Sequence, residues 1–217
     1  MFRPLNKIYN PDIIMTSGSI TADLFRRKKL DKTSKILIYG SDKSTGKMHT
    51  NPSEKNILIL PEGFLNETKI LFDFCILAST NLPDFKFYFR LHPLINKNNF
   101  IKKNCTKKFP ENLIISNNTL EKDFKKSKYA IYRGSATIIE AVNFGLIPIY
   151  YSQKNETSLN PIFKFEIKTF TIRNIKDLNN TLKINFKVEK LRKIREYCAS
   201  FFQQPSSATI KSLFIKN

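Results

Sequence analysis

Short runs of apolar residues alternate with longer segments of helical periodicity over most of the chain. The apolar runs end at Pro, Gly, Ser or Asn, as buried strands commonly do. They predict strands at 12–16, 35–39, 56–60, 85–90, 112–116, 129–132, 146–151 and 168–172. Apolar residues at helical spacing predict helices at 19–28, 66–80, 120–126, 136–144, 175–182 and 188–202. This alternation predicts an α/β fold with a doubly wound, Rossmann-like parallel sheet.

One strand–helix–strand segment, residues 128–151, contains several candidate functional residues. Its first strand ends at Tyr132, Gly134 turns the backbone, and Ser135 stands at the predicted N-cap of the helix. In a parallel sheet such a helix directs its N-terminus to the carboxyl edge, where free N–H groups and the helix dipole favour an anion. Glu140 lies in this helix among apolar residues, and a carboxylate there requires a partner or a ligand hydroxyl.

Both polar residues of this helix also have a simpler interpretation. Ser135 belongs to the residue types that cap helices without any ligand. Glu140 is equally compatible with a single solvent-exposed stripe on an otherwise buried helix. Their joint occurrence in one βαβ unit favours the functional interpretation.

Further candidates follow neighbouring strands at the same predicted edge of the sheet, where doubly wound proteins bind ligands. The candidates at this edge are Gly63, Arg90, His92, Ser116, Asn117, Gly134 and Ser135. Gly63 permits a close approach of the backbone. Arg90 and His92, two residues apart, share one side of the sheet, and their side chains suit a phosphate. The alternative is an Arg that only ends a strand and a His that only precedes a proline in a turn.

The charge of the chain favours anionic partners. Its 217 residues include 37 Lys and Arg against 18 Asp and Glu, a formal net charge of +19. Nucleic acid, a membrane surface and phosphorylated metabolites all fit such a charge. The sequence has no clustered basic-aromatic motif, zinc-ligand spacing or helix-turn-helix signal, so we expect no specific nucleic-acid partner. Hydrophobic residues at 41% are sufficient for a packed core.

Cysteine usage and the N-terminus predict the cellular compartment. Cys75, Cys105 and Cys198 are odd in number and far apart, which is typical of reduced thiols rather than a disulfide framework. The first residues lack the apolar run of a signal peptide, and no apolar stretch reaches the length of a membrane span. We therefore expect a cytoplasmic protein, held by its charge at the inner face of an anionic membrane.

Three stretches of the chain carry a recognisable combination of motifs. They are Ile57-Leu-Ile-Leu-Pro-Glu-Gly63, Phe89-Arg-Leu-His-Pro93, and Arg133-Gly-Ser-Ala-Thr-Ile-Ile-Glu-Ala141 with Gly145-Leu-Ile-Pro148. Together they resemble the donor-binding domain of GT-B glycosyltransferases, over roughly residues 55–205. The resemblance is to bacterial enzymes that build surface polysaccharide, including the sialic-acid and Kdo transferase types and the glycerophosphotransferases.

The resemblance implies roles for the residues around the central turn. Glu140 matches the acidic residue that holds the ribose hydroxyls of the donor nucleotide. Gly134, Ser135 and Ala136 match the turn and helix start that receive its phosphate. The family generally binds its nucleotide without an obligatory metal. The absence of any Asp-x-Asp motif agrees with this, so no metal cofactor is expected.

The same resemblance implies roles for the loops that follow the other strands. Arg90 and His92 match a basic pair near the donor phosphate, and Gly63 matches a glycine loop close to the donor. Ser116 and Asn117 fall where the base is held, although the motif there is not distinctive. No residue can be matched to a catalytic base.

GT-B enzymes have two Rossmann-like domains, and only one of them is matched in full. Residues 1–48 resemble the last strands and helix of an N-terminal acceptor domain. We predict a linker at 49–55, a donor-binding domain at 56–205 and a tail at 206–217. The chain is therefore expected to be a truncated, split or partner-dependent transferase, and a separate subunit would supply the acceptor domain.

The leading functional hypothesis is a glycosyltransferase donor half in surface or capsular polysaccharide synthesis. Its partners would be a nucleotide sugar and a glycan or lipid-linked acceptor. A second enzyme hypothesis is a non-hydrolysing sugar-nucleotide epimerase, which shares the GT-B architecture. A basic nucleic-acid-binding module and a non-catalytic partner subunit are two further hypotheses.

Overall fold

The computed structural model describes residues 11–27, 34–45, 53–104, 109–163 and 170–214. Contacts divide the chain into two compact units, one of residues 1–46 with 195–217 and one of residues 47–194. The functional boundaries at residues 48, 55 and 205 stay predictions. Residues 49–52 of the predicted linker, Cys105, and positions 168–169 of the last predicted strand lie outside the described residues.

The smaller unit contains a two-stranded parallel sheet. Its strands are β1 (Ile13–Thr16) and β2 (Lys35–Ile38), and helix α1 (Ser19–Arg27) lies between them in the chain. The C-terminal segment predicted as a tail contains a helix, α8 (Ser207–Phe214). The Thr209 hydroxyl donates to the Ile38 carbonyl at 3.3 Å, which ties this helix to β2.

The larger unit is built on a parallel sheet of six strands. They are β3 (Ser53–Leu60), β4 (Lys86–Phe89), β5 (Leu113–Ile115), β6 (Ser127–Tyr132), β7 (Ile147–Tyr151) and β8 (Thr171–Ile172). Their order across the sheet is β5-β4-β3-β6-β7-β8. Strands β3, β4 and β5 therefore follow one another from the centre of the sheet to one edge. Strands β6, β7 and β8 follow one another from the centre to the other edge. This arrangement confirms the predicted doubly wound, Rossmann-like sheet.

Helices cover both faces of this sheet. They are α2 (Leu65–Asn81), α3 (Lys97–Asn104), α4 (Leu120–Lys126), α5 (Thr137–Asn143) and α6 (Ile175–Leu182). The next helix, α7 (Val188–Ala199), begins in this unit, and its residues from 195 onward belong to the smaller unit. Right-handed crossovers place α2 and α3 on one face, and α4 and α5 on the other. Because both faces are covered, the central strands are continuously apolar, and residues 57–60 and 129–132 are buried. Among the described residues, no helix is both long and apolar enough to traverse a bilayer.

The predicted N-cap of the helix after β6 is wrong. Ser135 precedes the N-cap of α5, which is Ala136 in a helical conformation with φ −65°. The Ser135 carbonyl accepts from the Ile138 N–H at 3.2 Å, so the tight first turn uses its backbone, while its side chain is buried.

A cluster of phenylalanines forms the core between the sheet and the α2–α3 face. Phe72 of α2 is fully buried and meets three other rings edge-on. Its partners are Phe89 at 5.0 Å, Phe100 at 5.1 Å and Phe109 at 5.7 Å between ring centroids. Edge-to-face geometry adds to the apolar area that these rings bury. The cluster fixes α2 and α3 against β4, and thus the loops that precede both helices.

Replacing Phe72 by Ala is expected to lower the free energy of unfolding by about 3–5 kcal/mol, because it leaves a cavity among the three rings. Phe64, eight residues earlier and 73% exposed, is the matched control. Its replacement by Ala should change stability by less than about 0.5 kcal/mol. Urea denaturation of both variants checks this, and equal losses would contradict the proposed core.

Candidate functional site

The candidate site lies where the strand order reverses, between β3 and β6. These strands are hydrogen-bonded neighbours, with Leu60 opposite Tyr132 at their carboxyl ends. The loop after β3 carries Glu62 and Gly63, and the loop after β6 begins with Arg133. In doubly wound sheets this position forms a crevice between diverging loops. Several of the predicted site residues are therefore brought to one edge.

Two glycines allow three loops to meet in this crevice. Gly134 has φ 76°, a conformation that favours glycine, and a Cβ there would overlap the Glu62 carboxylate. A Cβ on Gly63 would lie 3.1 Å from Nδ1 of His92 and 3.3 Å from Leu94. The loops after β3, β4 and β6 are thus in contact, as the sequence predicted for Gly63, His92 and Gly134.

Glu62 is the polar residue at the centre of this contact. Its carbonyl accepts from the Thr68 hydroxyl at 2.9 Å, which fixes its backbone at the start of α2. Its Oε1 atom is buried and has no hydrogen-bond partner among the described residues. Burial raises the pKa of Glu62, Glu67 raises it further, and Arg133 partly opposes the shift. The Glu62 carboxylate therefore lacks a hydrogen-bond donor, and a ligand could provide one.

Arg133 is occupied by two other carboxylates. Its side chain is 4% exposed, its Nε donates to Glu67, and its two terminal nitrogens donate to Glu156 at 2.6 and 2.5 Å. The hydrogen bonds to Glu156 and Glu67 outweigh burial and raise the pKa of Arg133. For Glu156, burial acts against ionisation, but the bonds from Arg133 hold its pKa below the usual value. Arg133 is therefore a structural cation that links the loops after β6 and β7 to helix α2.

Arg90 is likewise engaged within the protein. Its Nη1 donates to the Asn118 carbonyl at 2.6 Å and to the carboxylate of Asp123 at 3.0 Å. Asp123 is fully buried and also accepts from the Ser116 hydroxyl at 2.6 Å and lies 3.5 Å from Lys126. A buried carboxylate needs these donors. The geometry favours the interpretation in which Arg90 ends a strand and holds α4.

The remaining residues near β4 and β5 have simpler environments. Asn117 is exposed, and its side-chain oxygen accepts from Lys97. Nδ1 of His92 accepts from the Leu94 N–H at 3.2 Å. That bond assigns the proton of the neutral ring to Nε2, which leaves His92 a donor on its other side. His92 thus stays a candidate for ligand contact, as does Asn117.

The candidate residues at and before helix α5 differ in their exposure. Ser135 is 7% exposed, whereas Ala136 is exposed. Glu140 is half-buried and lies on the same side of α5 as Ala136, Asn143 and Phe144, which are also partly or fully exposed. This exposed stripe matches the simpler interpretation of Glu140 from the sequence. A half-buried carboxylate on such a stripe can also contact a ligand.

The structure identifies residues that sequence patterns did not reveal. Glu67 and Glu156 pair with Arg133, Glu62 packs on Gly134, and Asp123 organises the loops after β4 and β5. Only Glu62 had a sequence signal, since it stands between Pro61 and Gly63 in a strand-ending turn. The other three are isolated acidic residues on helices or loops, and their partners lie 23 to 66 positions away.

A cleft of about 390 Å³ opens beside the crevice, between α2 and α3. Its apolar lining includes Leu65, Leu94 and Phe100, and Gly63 also lines it. Lys69 and Lys103 line the cleft as well, and Lys69 pairs with Asp73 at 2.6 Å. The cleft is continuous with the loops after β3 and β4, because Gly63 borders both.

Solved structures with similar backbones share this architecture. The GtfA/B complex matches over 93% of this chain and 44% of its own, with a TM-score of 0.60 and 12% identity. A Listeria monocytogenes protein assigned as a UDP-N-acetylglucosamine 2-epimerase matches over 94% and 59%, with a TM-score of 0.57 and 15% identity. The wall teichoic acid polymerase TagF, solved with CDPG, matches over 93% and 54%, with a TM-score of 0.51 and 13% identity. The chain has a GT-B fold.

At these identities the similarity concerns the fold, and the chain spans about half the length of the structures it matches. No protein-family model matches the chain, and a search of curated protein sequences found no significant match. The GT-B fold agrees with the architecture that the sequence motifs implied. Among the described residues there is no group of three acidic, His or Cys side chains placed to hold a metal ion.

Glu62→Gln is expected to stabilise the ligand-free chain at neutral pH. Because folding raises the pKa of Glu62 above 4.5, its ionised form costs free energy only in the folded state. This cost is absent below the unfolded pKa, grows as the pH rises from there to the raised pKa, and is complete above it. Thermal unfolding of the variant should therefore show a Tm above that of the wild type near neutral pH, and the difference should close in acid.

The control is Glu189→Gln, which changes an exposed glutamate paired with Lys193 at 2.9 Å on α7. It should leave Tm within about 1 °C of the wild type at every pH. A Glu62→Gln variant less stable than the wild type at neutral pH would contradict the account of Glu62.

Proposed function

We propose that this chain is the nucleotide-sugar-binding half of a GT-B glycosyltransferase that acts in surface or capsular polysaccharide synthesis. The observation that carries the proposal is the crevice between β3 and β6, where Glu62, Gly63, His92 and Gly134 meet. Its position is that of ligand sites in doubly wound sheets. TagF, a wall teichoic acid polymerase solved with CDPG, shares the fold and supports this class of substrate.

In this proposal the loops after β3 and β6 hold the donor. The turn at Gly134, Ser135 and Ala136 receives the phosphate, and His92 donates from its protonated nitrogen. Glu140 accepts from a hydroxyl of the donor, because it is accessible on its helix. The developing charge on the departing phosphate is stabilised by these fixed donors. No metal ion is required.

Arg90 contributes indirectly to this site. Its bonds to Asn118 and Asp123 hold the loop after β5, so the proposal assigns it a positioning role beside Ser116. Asn117 stays the candidate for contact with the base at that end of the site. Arg90→Ala would remove one hydrogen-bond donor from the buried Asp123. A change in ligand affinity could then come from altered loop structure as well as from a lost ligand contact.

The acceptor and the membrane complete the proposal. A glycan or lipid-linked acceptor would be presented by a separate acceptor-domain subunit. The net charge of +19 would hold the chain at the inner face of an anionic membrane, at about 1 kcal/mol for each Lys or Arg near the surface. Specific nucleic-acid recognition is not part of this function.

The second candidate is a sugar-nucleotide epimerase. It is favoured by the match to the Listeria monocytogenes protein assigned as a UDP-N-acetylglucosamine 2-epimerase, which has the higher TM-score of 0.57 against 0.51 for TagF. The two functions differ in their products. Incubation of a nucleotide sugar with and without an acceptor separates them, because only an epimerase changes the sugar when no acceptor is present.

Isothermal titration of CDP, CMP, UDP and GDP against the purified chain tests the proposal. One nucleotide should bind with a Kd in the millimolar range or tighter, and EDTA should leave that Kd unchanged. Glu140→Gln should weaken binding about tenfold, the loss expected when a charged hydrogen-bond acceptor becomes neutral. Glu189→Gln on α7 should bind like the wild type.

Two results would overturn the donor site. The first is no binding of any of these nucleotides in the millimolar range. The second is equal affinity of the wild type and Glu140→Gln, which would assign Glu140 to the exposed stripe of α5.

A further inference from the structure

One carboxylate at the crevice has an unmet hydrogen-bonding requirement. Oε1 of Glu62 is buried against Gly134 and has no donor among the described residues. Such a group is costly to bury, and natural proteins pair almost all of them. Thr68 binds only the Glu62 carbonyl, so it does not serve the carboxylate.

The cation nearest to this carboxylate is committed elsewhere. Three nitrogens of Arg133 bond to Glu67 and Glu156, and its side chain is 4% exposed. Because Glu62 packs on Gly134, three carboxylates share this part of the crevice with one guanidinium, which leaves an excess of negative charge. A phosphate in direct contact with Glu62 is disfavoured, because like charges repel at short range. The phosphate of the proposed function would therefore lie at Ser135 and Ala136, away from the Glu62 carboxylate. A neutral group that donates a hydrogen bond is favoured beside Glu62.

The second carboxylate oxygen of Glu62 is the one that a ligand can reach. Oε1 packs on Gly134, where a Cβ would overlap it, and of the two oxygens only Oε1 is buried without a partner. The ring of His92 faces Gly63, and its Nδ1 accepts from the Leu94 N–H. The crevice thus combines a carboxylate acceptor with an imidazole.

We propose that Glu62 binds a hydroxyl group of the carbohydrate part of a nucleotide sugar. This inference rests on the proposed function and adds a residue that the sequence motifs did not place in the donor site. Hydroxyls donate readily to carboxylates, and two parts of a nucleotide sugar carry them. One is the ribose of the nucleotide, and the other is the transferred sugar.

Titration of the full chain with UDP, CDP and one nucleotide sugar of each tests this inference. Glu62→Gln should weaken binding of the nucleotide sugar about tenfold, because a neutral amide replaces a charged acceptor. If the hydroxyl belongs to the transferred sugar, UDP and CDP alone should bind as they do to the wild type. If the hydroxyl belongs to the ribose, the variant should bind both the nucleotide and the nucleotide sugar more weakly. The variant and the wild type should then bind 2′,3′-dideoxy nucleotides equally well, because these lack the ribose hydroxyls.

Thermal unfolding of the same variant separates binding from structure. A ligand-binding role predicts that Glu62→Gln unfolds at or above the wild-type Tm when no ligand is present. A lower Tm would show that the carboxylate supports the fold and would overturn the inference. Glu189→Gln serves again as the control, since its side chain is exposed on α7.

Binding by the wild type and by Glu62→Gln tests the two proposals separately. If the wild type binds no nucleotide and no nucleotide sugar, the proposed function is lost and the role of Glu62 with it. If the wild type binds and Glu62→Gln binds equally well, only the role of Glu62 is lost.

Discussion

The buried ion-pair cluster of Arg133 is the interaction on which the candidate site depends. This residue follows β6 directly and bonds to Glu67 of α2 and to Glu156 beyond β7. It therefore ties together segments that start from three strands on both sides of the switch point. Removing Arg133 would leave both carboxylates without their shared cation, and breaking buried ion pairs in this way typically costs about 3–5 kcal/mol. The loops of the crevice are consequently fixed before any ligand arrives.

A second buried cluster, centred on Asp123, fixes the other end of the same edge. Arg90 and Ser116 bond to this carboxylate, and so does the side chain of Asn118 at 2.9 Å. Both arginines at the carboxyl edge of the central strands thus neutralise acids of the protein. The crevice between the clusters presents glycine backbone, an imidazole and the unmatched carboxylate of Glu62. Next to Glu62, this chemistry suits the hydroxyls of a sugar better than a phosphate.

The fold could be predicted from sequence because it depends on local patterns. The run at 57–60 and the helix α4 follow directly from apolar spacing and turn residues, and α4 has the predicted bounds Leu120–Lys126. The site could be predicted only in part. Arg90 looks the same in a sequence whether it meets a phosphate or a carboxylate 33 positions away. The cap of α5 was missed because Ser135 contributes its backbone to a tight turn while its side chain is buried.

A crystal structure of the chain with a bound nucleotide sugar would locate the donor site. We expect the ligand in the crevice between β3 and β6, in contact with Gly63, His92 and Gly134. A carbohydrate hydroxyl should lie about 2.5–3.0 Å from a carboxylate oxygen of Glu62. A ligand bound at another edge of the sheet, with Glu62 still packed unpartnered on Gly134, would contradict this expectation.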